Sequence, residues 1–322
     1  MNLSWIAVVL AAVGCGSADE PPPAAEPAAA PPAEKPAGRV ISVGNEPEGI
    51  VVDTETGRVA VGMRNPDSLL ILAARDGRVL RRRPLAESPR HLALAGPGGP
   101  VLVPAERSNE LLEVPLARGA IRSHAVGEFP HDAAPVAGRI AVSDELDDTL
   151  TLLGAGGDRR LRTARQPGGV AAAGGRLVAV VAVSDRVLEL FDVVSGEREG
   201  RIDAGVGPTH LVADPARRRL YVADTQGDAI LAVDTAPELR INDRLALPGA
   251  PYGLALDPAR GRLWVTLTGR NSLAELELGQ RAPRLVRTLP TVRQPNSVAV
   301  DTASGRVFVA SRSDGVLQLI DP

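Results

Sequence analysis

The stretch PTHLVADPARRRLYVADTQGDAILAVDTAPELRINDRLAL, residues 208–247, decides the fold of this chain. It contains four short runs of residues typical of strands: Leu211 to Ala213, Leu220 to Ala223, Ile230 to Val233 and Arg244 to Leu247. Residues that favour turns separate these runs, and each run has the length of a strand. The stretch therefore predicts four consecutive strands of an all-β protein.

The same unit recurs seven times along the chain. Each copy begins with a proline, and the seven are Pro47, Pro89, Pro130, Pro167, Pro208, Pro251 and Pro295, spaced 37 to 44 residues apart. A lone unit of four strands cannot bury both faces of its sheet, whereas seven units stacked around a ring bury them and protect the strand edges. The sequence predicts a seven-bladed β-propeller over residues 39–322.

The first strand of each unit has a pattern that fits the centre of such a ring. Four residues after each proline stand Val51, Ala93, Ala134, Ala171, Val212, Ala255 and Ala299. All are small, as expected where seven strands crowd a narrow axis. Three residues after the proline stand Ile50, Leu92, Ala133, Val170, Leu211, Leu254 and Val298, which suit the space between blades.

The ends of the repeat region predict how the ring closes. The last unit has only three strand-like runs, and residues 39–43, with the sequence RVISV, precede the first proline. We expect this N-terminal segment to be the fourth strand of the last blade. The third and fourth units depart most from the pattern, through Pro135 and the alanine-rich run Val170 to Ala173. Their blades are expected to be irregular.

Composition excludes several classes of function. The formal net charge of −3 gives no basic field of the kind that nucleic-acid binding requires, so no nucleic-acid partner is expected. The single cysteine excludes an internal disulfide and the paired-cysteine motifs of zinc or haem attachment. Seven aromatic residues are too few for the stacking platforms common in sugar or single-strand recognition.

The first 38 residues predict an export signal followed by a disordered tether. An apolar run from Trp5 to Gly14 leads into Cys15, and residues 1–15 resemble a bacterial lipoprotein signal whose cysteine is lipidated. Secretion without an anchor and a buried structural cysteine are the alternatives. Residues 16–38 are rich in proline and alanine and predict a disordered tether. The expected location is the bacterial cell envelope, on the periplasmic or surface side, with membrane attachment through Cys15.

The second strand of several units carries a family resemblance. The runs Leu220 to Asp224, Leu263 to Thr266 and Val307 to Ala310 resemble the signature of the YVTN repeats, the YncE-like β-propeller family. The motif of a proline followed by Gly or His two residues later, as in Pro208-Thr209-His210, is also similar. The resemblance covers about residues 39–322 and implies the propeller fold. Because this fold hosts binding proteins, electron-transfer subunits and lactonases, it leaves the activity open.

Candidate site residues stand one and two positions after the prolines, where the inter-blade loops open on the central channel. The candidate ligand-binding set at this channel mouth is Glu48, Arg90, His91, His131, Asp132, Thr209, His210, Tyr252 and Asn296. Three of the four histidines fall in this set. The favoured interpretation is that these polar groups satisfy backbone groups, hold water or line a general ligand site at the channel. The alternatives are a metal site of His91, His131 and His210, or acid–base catalysis by His131, Asp132 and His210, since imidazoles suit both roles.

Register argues against convergence of the three histidines. His91 and His210 lie two residues after their prolines and His131 lies one after, so strand alternation predicts that they point in opposite directions. Blades two and five are also well separated around the ring. No cofactor is therefore predicted, and a divalent metal remains an alternative.

Three functions stay open at this point. A binding scaffold for a protein or small-molecule partner at the channel face is favoured, because Gly-x-Ser-x-Gly, Walker and His-Glu-x-x-His motifs are absent from the sequence. A lactonase or hydrolase with a site spread over several blades is the first alternative. The second is an accessory subunit of a metal or redox system. The oligomeric state does not follow from the sequence.

Overall fold

The computed structural model describes Pro27 and residues 34–279 and 282–322. These residues form seven antiparallel four-stranded sheets arranged as a β-propeller, which confirms the predicted fold. Their one helical segment is the 3-10 turn Thr268–Arg270, and none of the described helices could cross a membrane. Residues 1–15 with Cys15, and most of the tether, lie outside the described residues.

The strands follow the chain blade by blade, from the axis outward. Blade 1 contains β2 (Pro47–Asp53), β3 (Arg58–Met63), β4 (Ser68–Ala73) and β5 (Val79–Pro84), and blade 2 contains β6 (Ala93–Leu94), β7 (Val101–Ala105), β8 (Glu110–Val114) and β9 (Arg122–Ala125). Blade 3 contains β10 (Pro130–Val136), β11 (Arg139–Asp144), β12 (Thr149–Gly154) and β13 (Arg159–Arg162), and blade 4 contains β14 (Pro167–Gly174), β15 (Leu177–Ala182), β16 (Val187–Asp192) and β17 (Arg198–Asp203). Blade 5 contains β18 (Pro208–Asp214), β19 (Arg219–Asp224), β20 (Ala229–Asp234) and β21 (Arg240–Ala246), and blade 6 contains β22 (Pro251–Asp257), β23 (Arg262–Leu267), β24 (Ser272–Glu277) and β25 (Arg284–Pro290). Blade 7 contains β26 (Pro295–Val300), β27 (Val307–Ser311), β28 (Val316–Ile320) and β1 (Arg39–Ser42).

The two ends of the described domain meet in blade 7, as predicted. Strand β1 pairs antiparallel with β28, from Arg39 opposite Leu319 to Ser42 opposite Val316. The side chain of Ile41 and the buried Val43 join a core cluster that contains residues of blades 7 and 1. One strand from the N-terminal end therefore closes the ring by noncovalent contacts.

Blade 4 is irregular as predicted, because the register of β14 against β15 shifts a second time between Ala172 and Gly174. Blade 3 is regular around Pro135, and blade 2 is irregular although the sequence did not predict it. Strand β10 accommodates Pro135 in register opposite Ile140, because the innermost strand is an edge whose proline needs no ladder partner on the channel side. Strand β6, by contrast, has only two residues. Its partner β7 contains Pro104, which lacks an N–H and therefore removes one hydrogen bond from the ladder.

The apolar core lies between neighbouring blades and around the axis. Each interface is filled by alternating Val, Leu and Ile side chains from adjacent sheets, such as Leu70 and Phe308 between blades 1 and 7. The seven residues three positions after the prolines all line the central cavity, whereas only four of those four positions after do so. The expectation is therefore reversed: the residues three positions after the prolines, expected between blades, are the ones that line the channel in every blade.

Arginines join the outer strand of one blade to a turn of the next. Arg159 in β13 donates from Nη1 and Nη2 to the carbonyls of Val194 and Ser195, each at 3.0 Å. Arg81 in β5 similarly donates to the carbonyl of Ala117. A guanidinium offers a rigid fork of donors, so one side chain can satisfy two turn carbonyls across an interface.

We expect Arg159→Lys to lower the free energy of unfolding by about 1 kcal/mol, because an ammonium cannot donate to both carbonyls in this planar geometry. Chemical denaturation measures the change. Arg118→Lys is the control, since Arg118 is exposed and none of the described hydrogen bonds or ion pairs involves it. Equal stability of the two variants would contradict a role for Arg159 in joining the blades.

Candidate functional site

The innermost strands share an irregularity at their first residues, directly after the proline. In β18 the register shifts between Pro208 and Leu211, and in β10 it shifts between Pro130 and Asp132. In blade 2, Pro89 pairs with Ala105 and Ala93 pairs with Leu102. The inner strand therefore uses one more residue than its partner between these two pairs, as in the other blades. These β-bulges interrupt the alternation of side chains at the positions that carry the histidines.

The bulges bring His91, His131 and His210 together at the axis, contrary to the prediction from strand alternation. The Nε2 atoms of His91 and His210 are 3.0 Å apart. The ring centroid of His91 lies 4.8 Å from that of His131 and 4.5 Å from that of His210. One potential ligand nitrogen from each ring lies within 4.8 Å of the other two. The expected separation of blades 2 and 5 fails because the channel is narrow enough for side chains to meet across it.

The histidines lie at a closed end of the channel. One position after the prolines, six of the seven residues are buried, including Glu48, Thr209, Tyr252 and Asn296. Five positions after the prolines, six of seven are half-buried. Solvent access therefore increases along the innermost strands, away from the histidines and towards the turns that connect each first strand to its second.

A network of ionic side chains covers the histidine end. It consists of Glu48, Arg64, Arg90, Glu106 and Arg312, and we refer to it as the Glu48 network. Glu106 lies 3.0 Å from both Arg64 and Arg90. The carboxylate of Glu48 is 3.4 to 3.9 Å from three guanidiniums. Arg64, Glu106 and Arg312 are not in the predicted channel-mouth set, and each directly follows the second strand of its blade, β3, β7 and β27.

The network meets the histidines through Arg90. Its Nη2 lies 3.4 Å from Nε2 of His131. Burial opposes the charge of Arg90, but the neighbouring Glu48, Tyr252 and Glu106 outweigh this effect and raise its pKa. Arg90 therefore stays charged beside the histidine cluster.

The same surroundings keep the three imidazoles neutral. Burial lowers the pKa of His210 to about 3, and the charge of Arg90 adds to the effect. Burial also lowers the pKa values of His91 and His131 well below the usual range. Each ring therefore has a lone pair at neutral pH. Between His91 and His210, one Nε2 donates and the other accepts when no other ligand is bound.

Asp132 lines the channel, but its carboxylate is engaged by backbone. Oδ1 accepts from the N–H of Ala133 at 2.8 Å and Oδ2 from the N–H of Val170 at 3.1 Å. Burial nevertheless raises the pKa of Asp132 to about 7. These bonds fix the carboxylate between blades 3 and 4.

The remaining predicted residues surround the cluster. The ring of Tyr252 packs edge-on against His210 at 4.5 Å between centroids. The hydroxyl of Thr209 is 2.7 Å from that of Thr225, which makes it part of the wall. The amide Nδ2 of Asn296 donates to the carbonyl of Glu48 at 3.3 Å. The structure thus places all nine predicted residues around one end of the channel.

His124 lies outside this site. It belongs to the outer strand β9, where its Nε2 is 2.8 Å from a carboxylate oxygen of Glu113. Its surface position makes it a natural control for the three clustered histidines.

No protein-family model matches the sequence, and no curated protein matches it. Solved structures do resemble the fold. Hydrazine synthase of Kuenenia stuttgartiensis superposes with a TM-score of 0.76 at 17% identity, covering 87% of this chain and 96% of that chain. Virginiamycin B lyase of Staphylococcus aureus gives 0.72 at 15% identity, with 88% and 98% covered. A chain of the mitotic checkpoint complex gives 0.78 at 12% identity, with 97% and 99% covered. At these identities the likeness establishes a β-propeller and no activity.

Proposed function

We propose that this protein is a metal-binding β-propeller of the bacterial cell envelope, in which His91, His131 and His210 hold one divalent transition-metal ion. The observation that carries the proposal is the convergence of three histidines from three blades on the axis. It unites the scaffold and metal-system functions that the sequence left open.

The distances support a shared ion. In a tetrahedral zinc site with bonds of about 2.0 Å, neighbouring ligand nitrogens lie about 3.3 Å apart. The pair His91 and His210 is already at 3.0 Å, and the third nitrogen is within 4.8 Å. Side-chain shifts of about 1 Å would complete the set, which small changes in ring torsions supply.

The chemistry of the ligands supports the same proposal. Metal ions bind the neutral form of imidazole, and burial keeps all three rings neutral. Imidazole suits Zn²⁺, Cu²⁺ and Ni²⁺, while Mg²⁺ and Ca²⁺ prefer oxygen ligands. Three histidines also leave a coordination position open for a further ligand, as catalytic and binding sites require.

A hydrolase acting through His131, Asp132 and His210 has less support. The Asp132 carboxylate is occupied by two backbone N–H groups, which leaves it poorly placed to exchange a proton with a substrate. The assignment to the cell envelope rests on the resemblance of residues 1–15 to a lipoprotein signal. Membership of the YVTN propellers is likewise a proposal, supported by the strand motifs and by the fold.

Isothermal titration of the untagged full-length chain, purified in detergent, with Zn²⁺, Cu²⁺ and Ni²⁺ tests the proposal. We expect one ion per chain. Replacing all three histidines with alanine should weaken binding at least about 100-fold, because three ligands are lost. The matched control is His124→Ala, which removes the fourth histidine and should leave the affinity unchanged. Stoichiometric binding that survives the triple substitution, or no binding at all, would overturn the proposal.

A further inference from the structure

We infer that the central channel binds a small molecule with an anionic, metal-coordinating head and an apolar body, which enters from the end opposite the histidines. The inference rests on the proposed metal site for the head group alone. The cavity, its apolar wall and its open end are independent of the metal.

The channel has the size and lining of a small-molecule site. Its cavity volume is about 410 Å³, within the range of pockets that hold drug-sized ligands. Benzene fits a cavity of about 150 Å³, so this one accommodates roughly two to three times that bulk. Its wall is dominated by Ala, Val and Leu from all seven innermost strands, which favours an apolar body.

Polar groups converge on one end of this cavity. His91, His210, Asp132 and Asn296 line it there, next to the closed end of the channel. The amide Oδ1 of Asn296 is buried and, within the part of the chain that the structure describes, lacks a hydrogen-bond partner. A buried acceptor without a partner is costly, and a donor on the head of a ligand would satisfy it.

The opposite end is where a ligand can enter. Ala172 and Ala213 line the cavity five positions after their prolines and are half-buried. The strand rises about 3.3 Å per residue, so these positions lie about 10 Å from those of the histidines. An extended chain of about eight atoms spans that distance.

Charge selects the head group. Three neutral imidazoles leave the two positive charges of a bound ion uncompensated, in a buried site where unpaired charge is strongly unfavourable. The nearby charge of Arg90 adds to the positive field, although Glu48 and Glu106 balance Arg90 itself. Asp132, whose carboxylate accepts from two backbone N–H groups, supplies at most one negative charge against the two of the ion. An anionic head on the ligand is therefore the group that best balances the ion.

The test uses hydroxamates as probes, because a hydroxamate is an anionic metal ligand that also carries an N–H donor. The full-length chain is loaded with Zn²⁺ and titrated with acetohydroxamate and octanohydroxamate. Each buried methylene strengthens binding about four-fold, so the octyl probe should bind at least about 100-fold more tightly. Equal affinities for the two probes would overturn the inference while leaving the zinc titration, and hence the proposed function, intact.

Blocking the open end gives the second arm of the experiment. Ala172→Phe and Ala213→Phe, on different blades, should each weaken octanohydroxamate binding at least about ten-fold and leave zinc affinity unchanged. Ala303→Phe makes the same change on an exposed turn of the same face and should alter neither. If both blocked variants retain full octyl affinity, the probe is not in the channel and the inference fails. A chain that binds no zinc overturns both proposals, because the head then has no ion to coordinate.

Discussion

Replacing Ile41 and Val43 with aspartate should lower the free energy of unfolding by about 5 kcal/mol, the sum of two lost apolar contacts and several ladder hydrogen bonds. Both side chains pack into the cluster that contains residues of blades 7 and 1. A carboxylate cannot remain there uncompensated, so β1 would detach from β28. Since small domains have a total stability of about 5–15 kcal/mol, the effect should be visible as a large drop in the denaturation midpoint.

The matched control for this experiment is Val40→Asp with Ser42→Asp. It changes two residues of the same strand and adds the same charge, but both positions are exposed. We expect a loss below about 1 kcal/mol, as is usual for surface substitutions. The test variant should also self-associate in size-exclusion chromatography, because the free edge of β28 can pair with another chain. Equal stability of the two variants would show that β1 does not close the ring.

Strand number and closure could be predicted because both depend on patterns local to each repeat. The proline spacing and the turn residues mark each blade, and the three-strand remainder after Pro295 requires a partner from elsewhere. Blade 4 is irregular as expected, whereas blade 3 was wrongly expected to be irregular and blade 2 was missed, for an equally local reason. A proline such as Pro135 does not disturb the innermost strand, which is an edge of its sheet. A proline such as Pro104 disturbs a strand inside the sheet, because that position needs an N–H to donate to the neighbouring strand.

Convergence of the histidines could not be predicted, because it depends on bulges that move the alternation of side-chain directions along a strand by one residue. A uniform pleat places His131 opposite to His91 and His210, and the register shifts at the starts of blades 2, 3 and 5 change this. Burial of the histidine end could not be predicted either, because it depends on loop side chains such as Glu106 that come from another part of the repeat. Sequence reasoning therefore located the residues of the site but not their arrangement.

The geometry of the site depends on a buried carboxylate at the end of β19, which holds the loop that precedes β18. Oδ1 of Asp224, which is fully buried, accepts from the N–H groups of Val206, Gly207 and Gly227 at 2.8 to 3.1 Å. Gly207 directly precedes Pro208, so these bonds fix the start of the strand that carries His210. In blade 3, Asp144 accepts from the N–H of Gly127 in the same way, before the strand that carries His131.

We therefore expect Asp224→Ala to lower the free energy of unfolding by about 3 kcal/mol, because it leaves the buried N–H of Gly207 and the partly buried N–H groups of Val206 and Gly227 without their charged acceptor. Asp224→Asn keeps one acceptor oxygen and should lose about half as much. Asp203→Ala, at an exposed position on β17, is the surface control and should change stability by less than about 0.5 kcal/mol. Chemical denaturation of the three variants measures these differences.

The same variants separate a local role of Asp224 from a role in positioning His210. If the loop fixes the histidine, zinc affinity in conditions where the chain is fully folded should fall about ten-fold in Asp224→Ala and be restored in part by Asp224→Asn, as for groups that orient metal ligands. Unchanged zinc affinity alongside reduced stability would mean that the bulge after Pro208 holds His210 without help from the loop. Because three blades each contribute one ligand, such a result would assign the geometry of the site to the ring itself.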